Sequence, residues 1–107
     1  MSVQEKREVT LRVADEANVR NIVEIHARLL DAYRNNAAVV LDLSDLGDVD
    51  LTFVQLIEAA RRTAAADGKA ITLAAPAMGL LLDTLERGGF LSSKQDNAFW
   101  LCATEMQ

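Results

Sequence analysis

The strongest limit on the fold comes from AAVVLDL, an almost unbroken apolar run at residues 37–43. A run this short, bounded by turn residues, is typical of a strand that is covered on both faces of a parallel sheet. It is followed by the turn-rich segment SDLGDVD and then by a helical pattern over residues 53–68. A buried strand that leads into an amphipathic helix indicates an α/β domain.

Other segments repeat this pattern. Residues 9–17 alternate, with Val9, Leu11 and Val13 on one face, as in a half-exposed strand. Residues 69–75 (KAITLAA) form a further short apolar strand, and 98–103 (AFWLCA) fit either an edge strand or a short segment packed over the core. The order of elements implies right-handed crossovers. We therefore predict a largely parallel sheet of four to five strands with helices packed against it.

Three helices are predicted between and after these strands. The first has Asn18 as its N-cap and stops at Asn35-Asn36, and the second stops at Gly68. The third has Pro76 in its first turn and closes at Gly88 and Gly89. We expect the first helix to bury an apolar stripe that includes Val19 and Val23. On the second helix the expected inner residues are Phe53, Leu56, Ile57 and Ala60, with Glu58, Arg61 and Arg62 facing solvent.

Composition excludes several classes of protein. The 107 residues suit one domain, which we place at 1–107. A net charge of −5 disfavours nucleic acid, whose binding depends on clustered lysine and arginine. No run reaches the ~20 apolar residues of a membrane span, and the polar start MSVQEKREV does not resemble a signal peptide. We expect a cytoplasmic protein without direct membrane insertion.

Catalytic and metal-binding residues are scarce. The single histidine, His26, lies in a helical pattern, and the single cysteine, Cys102, lies in an apolar run without a basic neighbour. Four aspartates at 42, 45, 48 and 50 do not have EF-hand spacing and are interpreted as turn residues. No glycine-rich phosphate loop occurs. We therefore predict no enzyme activity, no catalytic or metal-binding residues and no cofactor.

The segment DLTFVQLI at 50–57 is the candidate site, since ligands of open α/β sheets bind at the carboxyl ends of strands. In one interpretation Asp50 or Thr52 caps the second helix, which is worth ~1 kcal/mol. In the other, Thr52 is phosphorylated and gains about −1.5 to −2 charges. The residues alone leave both interpretations open.

Residues 9–91 resemble the STAS family (sulfate transporter and anti-sigma factor antagonist domains), in its small stand-alone bacterial type. The resemblance depends on VVLDLSDLGDVDLTFVQLIEAARRTAAADGKAITLAAP and on LLDTLERGGF. In antagonists of this family the loop commonly reads D-S-S-G-L, and a partner kinase phosphorylates the second hydroxyl. Matched to that loop, Asp50 is the acidic residue, Leu51 replaces the first serine, Thr52 is the phosphoacceptor and Phe53 replaces the glycine.

The resemblance implies a non-enzymatic module that binds an anti-sigma factor or serine/threonine kinase under control of phosphorylation at Thr52. Asp42 or Asp48 would then help to bind the metal-nucleotide end of the kinase. An alternative is a constitutive subunit of a phospholipid ABC transporter or a chemosensory complex, without phosphorylation. A nucleotide or small-ligand sensor is less favoured because a glycine-rich loop is absent, and a homodimer stays open. The predicted partner-binding residues are Asp48, Asp50, Leu51, Thr52, Phe53 and Gln55.

Overall fold

The structure is a computed structural model, and it describes residues 7–102. That range contains five strands and four helices, and all strand pairs are parallel. The elements are β1 (Glu8–Arg12), β2 (Asp15–Ala17), α1 (Ile22–Asn35), β3 (Ala38–Asp42), β4 (Leu46–Val49), α2 (Leu51–Asp67), β5 (Ala70–Leu73), α3 (Gly79–Gly88) and α4 (Lys94–Trp100).

The strands form two ladders, a three-stranded sheet in the order β1-β3-β5 and a two-stranded sheet of β2 and β4. The chain changes ladder at Asp15, which has a positive φ of 66° and begins an irregular register with β4. Aspartate tolerates this left-handed conformation better than most residues do. The predicted α/β class with parallel strands is confirmed, and the break at Asp15 explains why the five strands are divided between two ladders.

The core lies on one face of the three-stranded sheet. In register, Val9, Val39 and Ile71 form one row on this face, and Leu11, Leu41 and Leu73 form the next. The opposite face carries exposed threonines at 10 and 72, with Val40 partly covered. The prediction that the central strand is covered on both faces is therefore wrong within residues 7–102, because the described helices cover one face of the sheet.

The first helix begins later than predicted. It starts at Ile22, and the residue before it, Asn21, makes no side-chain capping bond. Asn18 is a buried turn residue that is 7% exposed, and its side-chain oxygen accepts a hydrogen bond from the N–H of Arg20 at 2.9 Å. The prediction that Asn18 caps the helix is wrong because its side chain organises the preceding turn. The predicted stop at Asn35 is confirmed.

The third helix also begins later, at Gly79, so Pro76 precedes it and does not occupy its first turn. The backbone at Met78 is extended, and the N–H of Ala77 donates to the carbonyl of Trp100 at 2.8 Å. That bond holds the segment against the C-terminal part of the chain. The predicted helix ends at Gly68 and Gly89 are confirmed, with φ of 73° and 77°, where glycine is favoured.

The segment 98–103 is not an edge strand in its described part, because Ala98–Trp100 belong to α4. Ser93 caps this helix by accepting from the N–H of Asp96 at 3.0 Å. Trp100 is fully buried and its indole N–H donates to Glu58 at 2.8 Å. Of the two alternatives left open for this segment, the structure gives the short element packed over the core, as a helix. Ala103 lies outside the described residues.

Two charged residues of α2 do not face solvent as predicted. The side chains of Glu58 and Arg61 are 17% and 20% exposed and pair at 3.0 Å, and the guanidinium of Arg61 lies 4.4 Å from the ring centre of Phe99. Asp96 lies 3.4 Å from the same guanidinium. The packing of α4 against α2 covers these groups, and it supplies the partners that a half-buried ion pair needs.

In the part of the chain that the structure describes, no helix has both the length and the apolar character needed to cross a membrane.

Candidate functional site

Asp50 is the residue that caps α2. Its Oδ1 accepts hydrogen bonds from the backbone N–H groups of Thr52 at 3.0 Å and Phe53 at 3.4 Å. Its Oδ2 accepts from the backbone N–H of Val19 at 3.0 Å. Of the two capping candidates, the structure therefore selects Asp50, and the carboxylate also joins the start of α2 to the turn before α1.

A second aspartate supports the same junction. Asp48 on β4 accepts from the side-chain amide of Asn18 at 2.6 Å. The backbone N–H of Asp50 donates to the carbonyl of Ala17 at 3.3 Å, beside the ladder of β2 and β4. A buried amide that has its partners holds a loop in one conformation, whereas an unpaired one would be costly. The turn at Asn18 and the start of α2 are thus fixed relative to each other.

Thr52 is the second residue of α2, and its side chain is half-buried. Its backbone N–H is used by the Asp50 cap, while its hydroxyl makes no hydrogen bond to any of residues 7–102. The positive end of the α2 dipole lies at this position and favours a negative charge there, while the carboxylates of Asp48 and Asp50 oppose it. Among the described residues the hydroxyl is therefore left without a hydrogen-bond partner, two positions after the capping aspartate.

The other predicted contact residues divide between surface and core. Leu51 is 46% exposed and Gln55 is exposed, so both can meet a partner. Phe53 is fully buried, and its ring belongs to the core cluster under α2. The prediction that Phe53 contacts a partner is therefore wrong, since it has no surface to offer while the protein is folded.

The prediction of burial is wrong for two valines. Val19 and Val23 are 66% and 80% exposed, although both were assigned to the buried stripe of the first helix. The buried side chains of α1 are Ile25 and Leu29. Val23 follows Ile22 at an angular step of about 100°, which turns it away from that inner line. Assigning each apolar residue its angle around the helix axis would have placed Val23 away from Ile25 and Leu29, and this signal is present in the sequence.

The aspartates at 42, 45, 48 and 50 are each engaged locally. Asp42 ends β3 and Asp48 lies in β4, so the prediction that all four are turn residues is wrong for these two. Hydrogen bonds from the hydroxyl and then the backbone N–H of Ser44 hold the pKa of Asp42 below its ordinary value. Asp45 pairs with Arg12, while Asp48 and Asp50 have the partners given above. Within residues 7–102, no three histidine, cysteine or acidic side chains come together as metal ligands. The four carboxylates are therefore used in local hydrogen bonds and, at Asp45, in an ion pair.

The lone histidine and cysteine lie away from this site. His26 is exposed on α1 and borders a groove of about 160 Å³ between α1 and α2, which also includes Tyr33 and Leu56. Cys102 is exposed beyond α4. Neither residue is brought to the start of α2.

Comparison with known proteins agrees with this fold. The family model described as "Mlab, STAS domain" matches residues 1–91. The solved structure of the Bacillus cell fate determinant SpoIIAA in its phosphorylated form is similar, with a TM-score of 0.63 and 18% sequence identity. The similarity covers 96% of this chain and 89% of that one. The comparison with curated protein sequences gives no match.

The match over residues 1–91 includes both ladders, the Asp50 cap and the whole of α2 and α3. Helix α4 lies beyond the matched residues, although the similarity to the solved structure extends over most of the chain. These findings confirm the resemblance inferred from the sequence, and the chain belongs to the STAS domain family.

Proposed function

We propose that this protein is a regulatory interaction module, similar to an anti-sigma factor antagonist, that binds a protein partner through the start of α2 under control of phosphorylation at Thr52. One observation carries the proposal. Asp50 supplies the helix cap, and the hydroxyl of the half-buried Thr52 makes no hydrogen bond to any of residues 7–102. The similarity to the fold of a phosphorylated cell fate determinant supports the same reading.

The proposed reaction is phosphoryl transfer by a partner kinase. The Thr52 oxygen attacks the γ-phosphorus of ATP, the bond from that phosphorus to the β,γ-bridging oxygen breaks, and ADP leaves. The hydroxyl proton passes to a base of the kinase or to water. The product carries about −1.5 to −2 charges at neutral pH, next to the carboxylates of Asp48 and Asp50.

The effect of this charge on binding follows from its neighbours. A partner that covers Leu51 and Gln55 would have to remove water from the phosphate as well, and burial of an unpaired dianion is costly. The unmodified hydroxyl imposes a much smaller penalty. The unmodified protein is therefore the binding form, and the phosphorylated protein is the released form.

The test is phosphorylation by GHKL-type kinases from the same organism, with ATP and Mg²⁺, followed by intact mass. We expect the mass of one phosphoryl group on the natural chain and none on Thr52→Ala. Thr63→Ala is the matched control, since the Thr63 hydroxyl is bonded to the carbonyl of Ala59 at 3.2 Å and should not be the acceptor. A natural chain that binds its partner and stays unmodified with every such kinase would contradict the switch.

A constitutive subunit of a transport or chemosensory complex is the second candidate. It is favoured by Leu51 and the buried Phe53, at positions where the antagonists that the sequence resembles carry serine and glycine. The family description names Mlab, and the similar structure is SpoIIAA, so the two comparisons point to different relatives. Co-purification with Thr52→Ala and Thr52→Glu separates the candidates. Loss of the partner in both variants indicates a structural contact, and loss in Thr52→Glu alone indicates the switch.

A further inference from the structure

We propose that the partner surface continues from α2 onto the start of α1, and that the partner element it receives is a basic amphipathic helix. This rests on the proposed function, because the start of α2 forms one half of the surface. The apolar part consists of Val19, Val23 and Leu51, and is called the apolar ridge below.

The exposure of the ridge is the first observation. Val23 and Val19 are more exposed than any other large apolar residue among residues 7–102, at 80% and 66%, and Leu51 is 46% exposed, slightly less than Met78 and Leu80. A single exposed apolar side chain needs no explanation, but a group of them at one place indicates an interaction surface. None of the three belongs to the buried core, and Val19 and Val23 are mostly exposed, while the Leu51 side chain is partly covered beside Gly88 at the end of α3.

The second observation is the bond that joins the two halves. The backbone N–H of Val19 donates to the Asp50 carboxylate at 3.0 Å, and Asp50 is followed directly by Leu51. Val23 lies in the first turn of α1, just after Val19 along the chain. The ridge therefore does not depend on a flexible contact, since the same carboxylate that caps α2 fixes the turn that carries Val19.

The third observation is the charge around the ridge. Glu16, Glu24, Asp48 and Asp50 supply four carboxylates, while Arg20 and Arg28 supply two guanidinium groups, Arg28 in the same cleft as Glu16 and Glu24. Asp48 and Asp50 accept hydrogen bonds from neutral N–H donors, which leave their charge in place. A negative rim speeds association with a positive partner and disfavours a negative one. The partner should therefore carry lysine or arginine around its apolar contact.

These features select one occupant. Three apolar side chains with a polar rim match the apolar stripe of an amphipathic helix, whose anchors repeat at three- and four-residue steps. A second copy of this chain fits poorly, because the same carboxylates would face each other across a two-fold interface.

The probe for this surface is a synthetic helical peptide of leucine and lysine with an apolar stripe, compared with a matched peptide in which glutamate replaces lysine. Both are titrated into the full-length protein, and methyl and amide NMR shifts are recorded. We expect the lysine peptide to shift Val19, Val23 and Leu51, with weaker binding at higher salt, and the glutamate peptide to bind at least tenfold more weakly. Equal binding of both peptides, or shifts confined to another face, would overturn the proposal.

Surface variants complete the experiment. The double variant Val19→Ser and Val23→Ser should weaken binding of the lysine peptide about tenfold, as expected when central apolar anchors are lost. The matched control is Met78→Ser with Leu80→Ser, at a second exposed apolar pair at the start of α3, and it should bind as the natural chain does. Equal weakening by both pairs would contradict the assignment. The lysine peptide is titrated into the unmodified protein, so this proposal can hold where phosphorylation at Thr52 fails.

Discussion

Helices α2 and α3 both begin at the surface with apolar side chains exposed, but they begin in different ways. At α2, Asp50 accepts three backbone N–H groups, and Leu51 beside it is 46% exposed. At α3, Met78 takes the cap position without a side-chain hydrogen bond, and Leu80 is 50% exposed. The apolar side chains at the two helix starts are similarly exposed, but only the start of α2 is held by side-chain hydrogen bonds to its backbone N–H groups.

This difference shows why apolar exposure alone does not identify a site. An apolar surface contributes to binding when its backbone is held in one conformation beforehand, because less entropy is lost on association. The start of α2 has that support from Asp50, and from the pair of Asp48 with Asn18. The start of α3 lacks a side-chain cap, so its Met78 and Leu80 serve as a natural control for the ridge at α2.

The largest expected effect concerns the core below the α2 start. Phe53→Ala should reduce the free energy of unfolding by about 3–5 kcal/mol, because it leaves a cavity at a fully buried position. Leu80→Ala, at the exposed start of α3, should change it by less than about 1 kcal/mol. Urea unfolding of both variants measures the contrast. A small loss in the free energy of unfolding for Phe53→Ala would contradict its burial in the core and make Phe53 a candidate partner contact again.

The cap at α2 should have the next largest effect. Asp50→Ala should lower stability by about 1–2 kcal/mol, since the N–H groups of Val19, Thr52 and Phe53 lose their acceptor. Asp50→Asn keeps an acceptor oxygen and should lose clearly less. Thermal unfolding and amide hydrogen exchange at residues 51–53 are the measurements. Equal losses in the two variants would show that the charge, not the cap, is the source of stability.

Because α3 begins without a side-chain cap, we expect that adding one will raise the free energy of unfolding. Met78→Asp should raise stability by about 0.5–1 kcal/mol, because the extended backbone at this position suits a cap and the substituted carboxylate can accept from the first free N–H groups. Met78→Ser should give a similar gain with less salt dependence. A loss in both variants would indicate that the Met78 side chain itself stabilises the start of α3.

The smallest effect concerns the turn of Asp42 and Ser44, which lies beside Met78 around a small cleft. Ser44→Ala should raise the pKa of Asp42 towards its ordinary value, because the hydroxyl bond is the main cause of its depression. A lowered folded pKa contributes stability above the unfolded pKa of about 3.9, and that stability is lost as pH falls through the folded value. NMR titration of the carboxyl carbon measures the change, and an unchanged pKa in the variant would contradict the assignment.

Much of this fold could be predicted because its main elements have local signals. The apolar run at 37–43 and the helical spacing that follows determine β3 and α2, and glycine at 68 and 89 ends two helices in the left-handed conformation. Asp50 was one of two capping candidates, since the sequence does not say which side chain reaches the free N–H groups. The placement of the candidate site at the start of α2 follows from these local patterns.

The rest depends on contacts between distant parts of the chain. β2 has three residues and β4 has four, too few to show a period, and β4 pairs across a bulge at Asp15. Trp100 and Glu58 are separated by 42 positions, so no local sequence pattern predicts that α4 packs over α2. Leu51 and Phe53 lie on different sides of one helical turn, and their burial depends on which side the core approaches.

The central claim is that a phosphate on Thr52 removes the partner from the α2 surface. The most direct measurement is the affinity of a co-purified partner for the natural chain and for the same chain with phosphothreonine at position 52, by calorimetric titration. Thr52→Ala serves as the unmodifiable control. The account predicts that the phosphorylated chain binds at least tenfold more weakly, while Thr52→Ala binds as the natural chain does. Equal affinity of the phosphorylated and natural chains would contradict it.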